Sequence, residues 1–177
     1  MIKPLKLIPL IFKRILLFIY FIPFLISIPV GIAYNVTGSM KTGYYLIFQP
    51  VNLRPGEIVF ACVPLDEESI EGMKRNYLPH GGFCPGGRLP VVKFLASLPY
   101  QTVVLSKKGI KADGRFIRYK VLKKSPEGLP IKHYPYGKYN VDGYFLISTY
   151  SPLSYDSRYW GPVKNILYKA VYLGKKL

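Results

Sequence analysis

The stretch "GGFCPGGRLPVVKFLASLP", Gly81 to Pro99, joins two unlike kinds of sequence. Up to Pro90 it is too rich in glycine and proline for regular structure and reads as the end of a shaped loop that begins near Tyr77. After Pro90 comes a short apolar run that stops at Pro99 and holds one charged residue, Lys93. A short run of Val, Phe and Leu bounded by turn residues reads as a buried strand.

Similar runs lie on both sides of it. "YYLIFQP" (Tyr44–Pro50), "EIVFACV" (Glu57–Val63), "QTVVLS" (Gln101–Ser106), "RFIRYKVL" (Arg115–Leu122), "VDGYFLIST" (Val141–Thr149) and "GPVKNILYKAVYL" (Gly161–Leu173) are apolar or alternating, rich in Val, Ile, Tyr and Phe, and separated by Gly and Pro. They predict a mainly β domain. "DEESIEGMKRNY", Asp66 to Tyr77, is the one stretch outside the N-terminus with helix-forming composition, and Asp66 is placed to cap it. There is no internal repeat.

The N-terminus differs. "ILLFIYFIPFLISIPVGIAY", Ile15 to Tyr34, has no charge over 20 residues, which as a helix would measure about 30 Å, the thickness of a bilayer core. Lys3, Lys6, Lys13 and Arg14 precede it, so the positive-inside rule leaves everything after Tyr34 exported. The expectation is a single-pass inner (cytoplasmic) membrane protein. Residues 1–34 would form a cytoplasmic tip and transmembrane anchor, and residues 35–177 a periplasmic, β-rich domain. The competing reading is a cleaved signal peptide, whose apolar region usually runs only about 7–15 residues.

The 177-residue chain carries 25 basic and 9 acidic residues, a net charge of +16. For an exported domain the polyanions at hand are lipid headgroups and acidic partners, so membrane lipid is an expected partner and nucleic acid is not. The lysines and arginines of "KKGIKADGRFIRYKVLKK", Lys107 to Lys124, alternate with apolar residues and read as solvated strand faces. Cys62 and Cys84 are the only cysteines. In an oxidising compartment such a pair is most simply a disulfide, a pair of buried free thiols being the alternative. His80 and His133 add no ligand spacing, so no metal site is expected.

"NVTGSMKTGYY", Asn35 to Tyr45, places Ser39 between glycine and methionine. A serine hydroxyl needs a base to act as a nucleophile. Neither histidine has a triad-like context, which leaves a lysine, and a lysine base must be desolvated to lose its proton near neutral pH. Most lysines here lie in polar runs; Lys93, between Val91, Val92, Phe94, Leu95 and Ala96, is the best candidate for a buried amine.

In this order "NVTGSMKTGYY", "GGFCPGGRLPVVKFLASLP" and "SPLSYDSRYWGPV" (Ser151–Val163) resemble the TraF-type conjugal transfer peptidases, relatives of bacterial signal peptidase I. The resemblance implies a signal peptidase-like coiled β-sheet or barrel. It makes Ser39 the nucleophile and Lys93 its general base. Thr37 would help the backbone N–H of Ser39 hold the oxyanion, and Ser154 would hydrogen-bond and orient Lys93. Asp156 and Arg158 would form a supporting pair nearby, with Met40 a packing residue. The implied activity is a Ser/Lys serine endopeptidase without metal or organic cofactor. It would process secreted or pilin precursor peptides, beside other conjugation-machinery proteins. A pilin-cyclising transpeptidase on the same dyad, a non-catalytic basic scaffold of a secretion channel and a DNA-binding module are the alternatives. The sequence departs from the signal peptidase pattern at Lys41-Thr42-Gly43, at Phe94, at Pro99-Tyr100-Gln101, and at Ser148-Thr149-Tyr150, where the pattern has Gly-Asp-Asn. These departures bear on cleavage preference and leave the dyad intact.

Overall fold

The computed structural model describes residues 12–16, 28–112, 114–117 and 120–176. In chain order its strands are β1 (Pro29–Asn35), β2 (Gly43–Phe48), β3 (Ile58–Ala61), β4 (His80–Cys84), β5 (Val91–Ser97), β6 (Thr102–Ser106), β7 (Gly109–Ala112), β8 (Arg115–Ile117), β9 (Gly137–Asn140), β10 (Phe145–Ile147) and β11 (Ile166–Gly174). Helix α1 (Glu67–Lys74) lies between β3 and β4, and the single-turn α2 (Ser157–Trp160) between β10 and β11. The mainly β expectation holds.

Two antiparallel sheets form the body. The larger has the order β1-β2-β11-β3-β5-β10, and the smaller the order β8-β7-β6-β9. Strand β5 is covered on both faces, which is why its sequence is a continuous apolar run and not an alternation. Val91 and Leu95 point into the main core with Val59, Val103, Leu105, Ile110 and Phe145. Val92 points the other way, into a second cluster with Met40, Tyr45, Phe60 and Ala170. Side chains alternate along a strand, so Lys93 shares the main-core face with Val91 and Leu95, directly opposite Val59 of β3.

The N-terminal expectation is corrected. Residues 17–27 of the proposed span lie outside the described residues, but its last part is strand and not helix. β1 pairs antiparallel with β2, Ile32 opposite Leu46 and Tyr34 opposite Tyr44. Val30, Ile32 and Tyr34 are exposed while Gly31 and Ala33 are half-buried. An uncharged run does not distinguish helix from strand, and here the β-branched residues pair with a neighbouring edge. Among the described residues no helix is long and apolar enough to cross a membrane. This overturns the expected transmembrane helix and, with it, the single-pass inner-membrane location and the periplasmic assignment.

The Gly/Pro loop is more regular than expected. Its first half is strand β4, bridged to Arg88 from His80 and from Cys84. The Gly87 N–H closes a turn on the Cys84 carbonyl at 2.9 Å. Gly86 has φ 76° there, after Pro85 in the order a type II turn requires. The Arg88 guanidinium, 1% exposed, donates to the carbonyls of Val63, Pro64 and Pro85. Cys62 and Cys84 form the disulfide, so this hairpin is tied to the end of β3 just before the chain enters β5.

Helix α1 starts where the sequence indicates. Asp66 accepts the Ser69 N–H at 2.7 Å while Ser69 Oγ accepts the Asp66 N–H at 3.0 Å, a reciprocal cap of the kind that contributes about 1 kcal/mol. Gly72 is needed inside it, because a Cβ there would stand 2.5 Å from the Tyr155 ring. That close approach, with Tyr155 Oη donating to the Glu68 carbonyl at 2.6 Å, seats α1 against the loop that precedes α2.

Candidate active site

Lys93 reaches from the core face of β5 to the turn after β1. Its Nζ donates to Ser39 Oγ at 2.6 Å. The amine is 3% exposed, and burial among apolar neighbours pushes its pKa down from 10.5 to about 8, with Asp156 opposing the drop and Arg158 assisting it. Two residues 54 apart in sequence are thus held in contact by the fold.

The turn carrying Ser39 is built by Asn35, the last residue of β1 and itself buried. Its amide Nδ2 donates to the carbonyls of Thr37 at 2.9 Å and Lys41 at 3.0 Å, with a longer contact to Met40 at 3.4 Å. Its Oδ1 accepts the Thr37 N–H at 3.1 Å and Thr37 Oγ1 at 2.8 Å. Thr37 Oγ1 is also 3.2 Å from Ser39 Oγ, and Met40 packs into the second core cluster.

Asp156 and Arg158 are fully buried and paired. Arg158 Nε donates to Asp156 Oδ1 at 2.7 Å and Nη2 to Oδ2 at 2.8 Å. The guanidinium also donates to the carbonyls of Ser154 at 2.9 Å, Lys120 at 2.9 Å and Pro152 at 3.4 Å. Asp156 caps α2 through the Arg158 N–H and accepts the Ser148 N–H at 3.0 Å. The pair therefore organises the segment from Ser148 to Trp160. Ser154 is buried in that segment and lines the same cleft as Ser39 and Lys93. Its Oγ has no hydrogen-bond partner among the described residues; Lys93 Nζ donates to Ser39 instead.

A cleft of about 500 Å³ opens over the dyad. Thr37, Ser39, Lys93 and Ser154 line it beside Val91 and Leu153. Among the described residues no group of three or more His, Cys, Asp or Glu side chains could hold a metal.

Sequence reasoning missed two residues of the site. Asn35 stood only as the first residue of the Ser39 motif, just after the expected anchor, and its role is to bond backbone carbonyls, which the motif does not reveal. Ser148 stood only as a departure from a pattern; in the structure its Oγ donates to the Ser39 carbonyl.

The sequence matches the family described as signal peptidase, peptidase S26, over residues 5–171. The chain belongs to that family. It is similar to a probable conjugal transfer protein TraF of Sinorhizobium fredii, 34% identical over 137 residues, which cover 75% of this chain and 70% of that protein. It is 33% identical to a conjugal transfer protein TraF of Agrobacterium fabrum, with 75% of each chain covered. A plasmid transfer protein TraF of Escherichia coli is 29% identical, over 77% of this chain and 71% of that one. The TraF-type resemblance of the three motif blocks is thus matched by TraF proteins over about three quarters of this S26 chain.

Proposed function

We propose that this chain is a serine endopeptidase of the signal peptidase type that cuts precursor peptides in conjugative transfer, with Ser39 as nucleophile and Lys93 as general base. The observation that carries the reading is the 2.6 Å contact between a buried amine and the serine hydroxyl. The neutral amine of Lys93 takes the proton of Ser39 Oγ as the oxygen attacks the substrate carbonyl carbon. The resulting oxyanion is held by the Ser39 N–H and by the Thr37 hydroxyl, whose proton turns to it from Asn35 Oδ1; a donor aimed at developing charge is worth about 3–4 kcal/mol. Collapse breaks the C–N bond, and the Lys93 ammonium gives its proton to the leaving amine. Lys93 then takes a proton from water as the water oxygen attacks the acyl carbon, and returns it to Ser39 Oγ as the acyl–Oγ bond breaks.

Asp156 and Arg158 act as supports in this reading. Ser154, buried in the cleft wall with an uncommitted hydroxyl, is within the same constellation and orients Lys93 once a substrate draws Ser39 Oγ away from the amine. The peptidase unit is the segment from residue 35 to residue 177, with β1 completing its sheet.

The test is mass spectrometry of a co-expressed pilin-like precursor with wild-type protein, Ser39→Ala, Lys93→Ala and the double variant. Each single substitution is expected to leave the precursor uncut in a folded protein. The double variant should be little worse than either, because members of one catalytic unit are strongly non-additive. Near-normal processing by Lys93→Ala would refute the dyad.

A further inference from the structure

We propose that Ser148 is a positioning residue for the reaction, holding the Ser39 peptide in place through a side-chain hydrogen bond to its carbonyl; this rests on the reading of Ser39 as nucleophile. A serine hydroxyl has one proton to donate and two lone pairs to accept with. At Ser148 all three are used. Its oxygen accepts the Tyr150 N–H at 3.0 Å and the Ser151 N–H at 3.0 Å. With both lone pairs occupied by backbone donors, the only direction left for the proton is the Ser39 carbonyl, to which Oγ donates. The hydroxyl therefore cannot rotate away without stranding two N–H groups. The residue is 1% exposed, so water does not replace the bond.

Ser148 also connects the site to its support. Its own N–H donates to Asp156 Oδ2 at 3.0 Å, and Asp156 is locked by Arg158. The path runs from the buried ion pair through the Ser148 backbone and side chain to the Ser39 carbonyl, a sequence distance of 109 residues. Asn35 holds the same turn from the other side, at Thr37 and Lys41. Between these two anchors Ser39 is fixed at its own carbonyl, on the other side of its Cα from the N–H that this reading turns toward a substrate oxyanion. Loosening one anchor lets the attacking oxygen drift from the geometry that reaction requires, without touching the substrate or the amine. The loss falls on the rate of reaction and spares binding.

The experiment compares wild-type protein, Ser148→Ala, Ser148→Thr and Ser39→Ala on an internally quenched peptide with Ala one and three residues before a single cleavable bond. For Ser148→Ala we expect kcat to fall about tenfold, the rate equivalent of about 1.4 kcal/mol. KM should stay within about twofold of wild type and the pH midpoint unchanged, since Lys93 is untouched. Ser148→Thr keeps the hydroxyl and should recover most of the loss. If Ser148→Ala lacks a cooperative unfolding transition, Ser148→Thr decides alone: a folded Thr variant with wild-type KM and at least half the kcat supports the role, and a folded one with kcat below half that of wild type overturns it. A folded Ser148→Ala with wild-type kcat, or with its loss in KM, also overturns it. Wild-type turnover by Ser39→Ala would instead sink the nucleophile reading on which the inference rests.

Discussion

Titration of Lys93 is the most direct check on the chemistry. Only the neutral amine can accept the Ser39 proton, so the rate follows the deprotonated fraction. With a pKa of about 8, about one molecule in eleven is competent at pH 7 and about ten in eleven at pH 9. We therefore expect kcat/KM, which reports the free enzyme, to rise roughly tenfold between pH 7 and pH 9 with a midpoint near 8. The same burial has a stability signature. The folded pKa lies below the unfolded value of 10.5, so the unfolded chain binds more protons between about pH 8 and 10.5, and stability rises with pH across that window. Below pH 8 the full penalty for a charged buried amine applies, roughly 3 kcal/mol for a drop of this size. Lys93→Met, close in length and apolar, should be inactive yet more stable than wild type at pH 7, with the gap closing toward pH 10.5. The assays are initial rates on the quenched peptide at constant ionic strength and denaturant unfolding at matched pH. A rate already on its plateau at mildly acidic pH points to a carboxylate base and refutes the lysine. A midpoint above 10 refutes the burial argument.

Other consequences follow from the same contacts. Arg158→Ala leaves Asp156 charged and fully buried, which should cost about 3–5 kcal/mol, read as a lowered denaturant midpoint at unchanged slope. Cys84→Ser opens a loop spanning 22 residues and should lower stability by roughly 3 kcal/mol. Non-reducing peptide maps of wild type should show the crossed peptide, and two freely alkylated thiols would contradict the bridge. If the cleft accepts small side chains as the signal peptidase resemblance implies, a precursor with Phe in place of Ala before the cut should be processed at least roughly tenfold more slowly, and equal processing would rule out that pocket.

What could be read from the sequence follows from which interactions leave a pattern. β2, β3, β5, β6, β8, β10 and β11 are apolar or alternating runs between turn residues, and each falls within a predicted strand or one residue beyond it. Asp66 marks the start of α1 because a capping acid is a local signal. β1 was misread because Pro29 to Tyr34 continues an uncharged run, and only its pairing with β2 distinguishes it from helix. β4 was hidden by its two glycines, of which Gly81 has φ 89° and Gly82 leaves no room for a side chain: a Cβ there would stand 2.2 Å from the Arg88 carbonyl oxygen. β9, four residues with Lys and Asn among them, is too short and polar to show. In the site, Lys93 was legible as a charge in an apolar strand and Ser39 through its motif. Asn35 bonds carbonyls of its own turn and Ser148 a carbonyl 109 residues away, and no residue pattern marks which carbonyls are bonded.

The arrangement around Lys93 separates tuning from positioning. Asp156 and Arg158 act on the amine in opposite directions, so as a bidentate neutral pair they largely offset one another in its field. Desolvation is left as the effect that decides its pKa, and that comes from the β5 face and its neighbour Val59. The contribution of the pair is therefore geometric: it fixes the carbonyls of Pro152 and Ser154 and the N–H of Ser148, and through Ser148 the peptide of Ser39. A strand in the core can tune a lysine without defining where its partner hydroxyl stands. A hydrogen-bonded loop can place that hydroxyl without altering the acidity of the lysine. In this fold the two requirements meet where the Lys93 side chain touches the turn that carries Ser39, and a substitution that leaves the Asp156–Arg158 pair intact, such as Ser148→Ala, should disturb the position of the hydroxyl while sparing the acidity of the lysine.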